Sequence, residues 1–193
     1  MKNLTILKKF VGISVFVTLV VAIISFLILN NQKNTLEKEV ISQTISSLKS
    51  DTELEINNKL DVGISNAVSI ANNSSIKESL ANNDRDLGVK ALEKLSKEMK
   101  ENTPFKNTKV HVHTKDSKSF IRAWKLDKYG DDLSSFRDSV VKVNNTVKSV
   151  NTFEVGKAGL SIRSVIPIKG FDGEHLGSLE FIQGLNSVAK SFE

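Results

Sequence analysis

The chain has 193 residues, 39% hydrophobic and 25% charged, with three His and no Cys. That excludes a disulfide framework, a thiolate metal site, a Cys nucleophile and an iron–sulfur cluster, and it leaves room for one domain beyond any targeting segment. Of the +5 net charge, three units come from Lys2, Lys8 and Lys9 in an acid-free N-terminus. Residues 31–193 therefore carry 24 basic against 22 acidic side chains, with no electrostatic footing for nucleic acid.

Phe10 to Leu29 is a run of twenty uncharged residues. As a helix it extends for about 30 Å, the thickness of a bilayer's hydrocarbon core. A cleaved signal peptide has an apolar core of about 7–15 residues and a small-x-small site. This run is longer and ends Phe26-Leu27-Ile28-Leu29-Asn30. A type IV pilin also opens on an apolar helix, but the acidic residue near its mature start is missing here. The reading is an uncleaved membrane anchor over residues 10–29. The flanking lysines place residues 1–9 in the cytoplasm and residues 31–193 in the periplasm, as a single-pass protein of the inner membrane.

Residues 31–103 read as a periplasmic helical segment. From 31 to 80 there is no Pro and a single Gly, Gly63. Leu36, Val40, Ile41, Ile45, Leu48, Thr52, Ile56, Leu60, Ile64, Ala67 and Ala71 recur at spacings that are almost all three or four and mark one helical stripe. That stripe needs cover: from the following domain beyond about Gly63, and from a second copy nearer the membrane, giving a homodimer through the juxtamembrane helices. Asn72-Asn73-Ser74-Ser75 and Ala81-Asn82-Asn83-Asp84 read as breaks or caps. A second helix is expected over Asp84–Glu101, stopped at Asn102-Thr103-Pro104.

After Pro104 the period changes to two. Strands are expected at Thr108–Thr114, Ser119–Lys125, Val150–Val155, Leu160–Ile168 and Leu176–Gln183, with a helix at about Asp132–Lys148 and the start of another at Asn186–Glu193. Residues 104–193 thus form a five-stranded antiparallel sheet in an α+β fold.

A hairpin with its tip at Asp116-Ser117 pairs His113 with Phe120, His111 with Arg122 and Lys109 with Trp124. Alternation then puts Val110, Val112, Ile121 and Ala123 on one face and His111, His113, Phe120, Arg122 and Trp124 on the other. A guanidinium fork beside an indole and two imidazoles suits a small carboxylate-bearing ligand. A solvated face that merely tolerates these residues is the alternative. His111-x-His113 without a nearby acidic pair or third His is a weak metal signal, and no metal or cofactor is expected. In Lys128–Ser135, Asp131 or Asp132 is a natural N-cap for the next helix. Arg163 is either a second anion donor or an exposed strand residue, and Glu180 is equally ambiguous. No nucleophile elbow, phosphate-cradling Gly loop or H-E-x-x-H is present, so the residues offer binding and no reaction centre.

Three blocks, Phe120–Arg137, Phe153–Arg163 and His175–Phe181, resemble the sensor module of double Cache receptors. The resemblance implies a PAS/Cache-like sheet, an extracytoplasmic ligand-sensing role in chemotaxis or another signal-transduction receptor, and ligand carboxylates bound by an Arg-x-aromatic pair on a central strand. Arg122 and Trp124 match that pair. His111, His113, Tyr129 and Arg163 complete the candidate ligand set, for which the resemblance supplies no counterpart. A double Cache receptor continues into a second sheet, a second membrane helix and an output domain. The expectation is therefore an anchor plus the first, membrane-distal half, from a truncated receptor or a stand-alone module. A membrane-anchored protein-interaction module without a small ligand is the alternative.

Overall fold

The computed structural model describes residues 2–103, 109–156, 159–185 and 188. The chain divides into two units, Met1–Thr52 and Glu53–Glu193. A helix, α1 (Lys2–Ala71), runs through the first and into the second. In the first unit its apolar side chains, Phe10 to Leu29 and then Leu36, Val40, Ile41, Ile45 and Leu48, are exposed. The segment is long and apolar enough to cross a membrane, with a mean hydropathy of 2.8 over its most apolar window, and fits a single-pass anchor.

In the second unit α1 ends at Asn72-Asn73, as expected. Asn73 accepts a hydrogen bond from the Ile76 amide (3.2 Å) and caps α2 (Ser74–Ala81). Asp84 likewise accepts from the Leu87 amide (3.1 Å) and caps α3 (Arg85–Asn102). The expected stop at Pro104 lies outside the described residues. So do the first residue of the first expected strand and, apart from Val188, the expected terminal helix over 186–193.

Five strands follow: β1 (Lys109–Thr114), β2 (Ser119–Arg122), β3 (Val150–Gly156), β4 (Gly159–Lys169) and β5 (His175–Gly184), with α4 (Asp138–Thr146) before β3. They form one antiparallel sheet in the order β2-β1-β5-β4-β3. One face carries Val110, Val112, Ile121, Ile166, Ile168, Leu179 and Phe181 against Ala67, Ile70, Ile76, Leu92 and Met99 of the helices. Gly63 lets α1 approach that sheet: a Cβ there would lie 2.6 Å from Ser164 Oγ and 2.4 Å from Gln183 Nε2. Gln183 Nε2 also donates to the Lys59 carbonyl (2.7 Å) and ties helix to strand. On the opposite face, Val140 and Val143 of α4 cover Val165 and Val150.

Three local expectations are corrected. His113 pairs with Ser119, one residue off the expected register, because a β-bulge intervenes between Val112 and His113. The extra residue, Phe120, turns into the helix-side core instead of standing with the histidines. Strand β2 stops at Arg122, where a turn closed by Lys125 N–H to the Arg122 carbonyl (3.0 Å) begins. The later helix starts at Asp138, six residues after the expected point. Residues 130–133 lie along the free edge of β2 instead: Gly130 N–H donates to Ser119 O (2.7 Å), Ser119 N–H to Asp131 O (3.0 Å) and Leu133 N–H to Ser117 O (3.0 Å). Backbone groups satisfied by a strand edge are not available to start a helix.

Candidate functional site

The sheet face away from α1 holds the polar residues. Cross-strand pairing sets His111 opposite both Arg122 and Glu180, and His113 opposite Ser119 and Ser178. Strand β4 contributes Arg163 and Ser161, and β3 contributes Glu154, opposite Ser161. The sequence reading singled out one side of this arrangement. Glu180 reaches it only through the β1–β5 pairing, between residues far apart in the chain.

A chain of charges crosses the face. Arg163 Nη1 donates to Glu180 Oε1 (2.5 Å), Arg163 Nε donates to Ser161 Oγ (3.2 Å) and lies 3.5 Å from Glu154 Oε2, and Arg137 Nη1 donates to Glu154 Oε2 (3.1 Å). Arg163 is 4% exposed and Glu180 wholly buried, so each is the other's nearest opposite charge in a site shut off from water. Beyond it, Glu180 Oε2 lies 3.5 Å from His111 Nδ1 and 3.9 Å from His113 Nε2. Neither distance is a hydrogen bond. Glu180 Oε2 and His113 Nε2 are buried with no hydrogen-bond partner among the described residues, a situation that costs about 1–3 kcal/mol per group. The outer nitrogens are satisfied: His111 Nε2 meets Ser119 Oγ at 2.8 Å and His113 Nδ1 meets Ser178 Oγ at 3.0 Å.

Burial, with the positive charge of Arg122 behind it, lowers the His111 pKa to about 3. Burial, then the His111 neighbour, holds His113 well below the usual imidazole value. Both rings are neutral at physiological pH.

At the margin of this face Arg122, 8% exposed, is already engaged. Its Nη1 donates to Asp131 Oδ1 (2.6 Å) and to the Lys128 carbonyl (2.7 Å), and its Nη2 donates to Asp131 Oδ2 (2.7 Å). This two-pronged geometry is that of a guanidinium holding a ligand carboxylate. The hydrogen bonds from Arg122 hold the Asp131 carboxyl below its ordinary pKa. Asp131 is therefore no helix cap, and Asp132 instead accepts from the Ser134 amide (2.9 Å) in a local turn. Trp124 stands edge-on to His111 with ring centroids 5.6 Å apart and is 43% exposed.

The structure thus brings His111, His113, Arg122, Trp124 and Arg163 to one face, although β2 is an edge strand and not the central strand that the resemblance implies. Tyr129 stands apart: its exposed ring lies under the Arg85 guanidinium at 4.0 Å. Sequence reasoning left Glu154, Arg137, Ser119, Ser161 and Ser178 unassigned. Glu180 shares a face with Arg163 because β4 pairs with β5 so that Val165, two residues on from Arg163, stands opposite Glu180, a register that alternation within either strand does not supply.

Residues 37–193 match the family model described as the double sensory domain of two-component sensor kinases, dCache_3. Among solved structures, the sensor domain of the Vibrio cholerae histidine kinase DctB superposes with a TM-score of 0.64 at 12% identity, covering 80% of this chain and 60% of that one. An extracellular ligand-binding receptor from Desulfohalobium retbaense gives 0.56 at 18% identity, over 74% of this chain and 25% of that one. The sensor domain of Escherichia coli DcuS gives 0.52 at 16% identity, over 69% of this chain and 97% of that one. These likenesses establish the fold, and this chain spans less than two thirds of the first two. A comparison with curated proteins finds no match.

Proposed function

Given that the chain belongs to the dCache_3 family of double sensory domains, we propose that it is the extracytoplasmic sensing part of a membrane receptor and that it takes a small carboxylate-bearing ligand at Arg122. The single observation behind this reading is the bidentate Arg122–Asp131 pair. The loop that carries Asp131 presents a carboxylate to a buried guanidinium, and a ligand carboxylate of the same geometry takes that place. Displacement frees residues 123–137 from the edge of β2, which gives binding a conformational consequence. The size of that response is bounded by the ligand's differential affinity for the two loop positions. Trp124 and His111 wall the seat, while Arg163 lies on the same face already paired with Glu180 and Glu154. In this reading residues 1–9 are the cytoplasmic tail, 10–29 the membrane span, 31–103 the periplasmic helical segment and 104–193 the sensor sheet, with a second copy covering the juxtamembrane stripe. No catalytic step is assigned to it.

Trp124 is the sole tryptophan and makes the test direct. The full chain in detergent is titrated with organic acids and amino acids while Trp124 emission and the melting temperature are followed. At least one carboxylate is expected to shift both, with stabilisation growing as the logarithm of ligand concentration. Arg122→Ala abolishes the response and Asp131→Asn, which weakens the internal competitor, enlarges it. A response that survives Arg122→Ala unchanged removes Arg122 from the site.

One observation favours a second reading, a protein-interaction module. Phe153, Val155 and Leu160 are exposed together on the β3–β4 hairpin, an apolar strip of the kind found at protein contacts. A cooperative melt with no response to any carboxylate supports that reading instead.

A further inference from the structure

We propose that His111, His113 and Glu180 form a three-ligand seat for a Zn2+-class divalent cation. Two strands build it. His111 and His113 project from the same face of β1, and β5 sets Glu180 directly opposite His111. The candidate donor atoms all lie within 4.8 Å of one another, and all three residues are buried. Ligand atoms bound at about 2.0–2.1 Å around a tetrahedral ion are spaced roughly 3.3 Å apart. The 3.5 Å and 3.9 Å separations of the histidine nitrogens from Glu180 Oε2 approach that spacing. They are too long for a shared proton and too short to hold a further side chain.

Each ligand is tied at its far end. Ser119 holds His111 Nε2, Ser178 holds His113 Nδ1 and Arg163 holds Glu180 Oε1. With a cation bound, both outer ring nitrogens carry the proton and donate to serine, which is the outer-sphere support that fixes tautomer and ring orientation at metal sites. The inner atoms His113 Nε2 and Glu180 Oε2 are the ones left without a partner among the described residues. Two imidazoles and one carboxylate select first-row transition ions over Mg2+ and Ca2+, and three protein ligands leave a fourth position for water or an anionic donor. The proposal does not rest on the carboxylate seat at Arg122: no Arg122 atom is among the ligands, and the two sites share only His111.

The test uses the full chain, purified in detergent without a histidine tag and stripped with a chelator. Calorimetric titration with Zn2+ alone is expected to show one saturable site per chain, with no comparable binding of Mg2+ or Ca2+. His113→Ala is expected to weaken Zn2+ binding by about 100-fold or more, and Ser119→Ala by about 10-fold to 100-fold as an outer support. Zinc-edge X-ray absorption on the unmutated chain reads the ligands directly and needs no variant to fold. Two imidazoles with one carboxylate oxygen support the site. Absence of saturable Zn2+ binding, a spectrum without imidazole, or undiminished binding by a folded His113→Ala chain overturns it.

Discussion

Glu180 is where the residues of the sheet face depend on one another most. Its carboxylate neutralises the buried Arg163, and removing it leaves a guanidinium in the interior without its closest counter-charge. Glu180→Ala is therefore expected to destabilise the fold by about 3–5 kcal/mol, read from urea unfolding followed through Trp124. Replacing both partners with apolar residues of similar volume, Arg163→Met with Glu180→Leu, is expected to recover most of that loss, since an ion pair and a packed apolar pair are of comparable stability inside a protein. A double variant as unstable as the single one would show that the damage comes from packing rather than from charge. The sequence alone could mark Glu180 as ambiguous between Leu179 and Phe181, because its role depends on partners on two other strands, Arg163 on β4 and the histidines on β1. His111 and His113 were legible as a pair on one strand face, and the acid that gives them a third neighbour was not.

At the scale of elements, helices α2 and α3 and the five strands follow from local chemistry: Asn73 and Asp84 as caps, the change of period after Pro104, and the glycines between strands. The boundaries that failed share a cause. Phe120 carries no mark of a bulge, and Asp131-Asp132 reads as a helix start until the free edge of β2 claims the backbone beside it. The Arg122–Asp131 contact has a pH signature. The Asp131 pKa in the folded chain lies below its ordinary 3.8, chiefly through hydrogen bonds from Arg122. The unfolded chain therefore takes up the proton first on acidification. The stability this contact contributes is full at pH values well above 3.8 and is lost as pH falls through the lower folded-state value. The difference in melting temperature between the unmutated chain and Asp131→Asn is expected to be flat from pH 8 to about 5 and to shrink below about pH 4. A difference that stays constant down to pH 2.5 would mean that the carboxylate's charge plays no part in holding the loop.

For the molecule as a whole, membership of the double sensory family fits an anchored receptor. In the proposed dimer the juxtamembrane stripe bears on how two copies meet. Leu48 and Ser50 are both exposed on α1, about 200° apart around the helix, and the absence of native Cys makes introduced thiols unambiguous. Leu48→Cys is expected to give disulfide-linked dimers in membranes under mild oxidation, because a disulfide forms only where two Cβ atoms come within about 3.5–4.5 Å. Ser50→Cys is expected to stay monomeric on the same gel. Equal cross-linking at both positions would exclude a defined helix pair. Sheet order carries a further consequence, for the assembly of the domain. β5 is the last described strand, yet it lies in the middle of the sheet, between β1 and β4. Until it docks, the β1–β2 hairpin and the β3–β4 hairpin each present an unpaired edge, and such edges recruit foreign strands. Closure also requires contacts far apart in sequence, which slows folding. A chain made from its N-terminus therefore passes through a stage when both hairpins exist and neither is protected, and chaperones or proteases have their best access at that stage. Because the two histidines and Glu180 meet only across β1 and β5, the polar face comes into being at the moment that vulnerability ends.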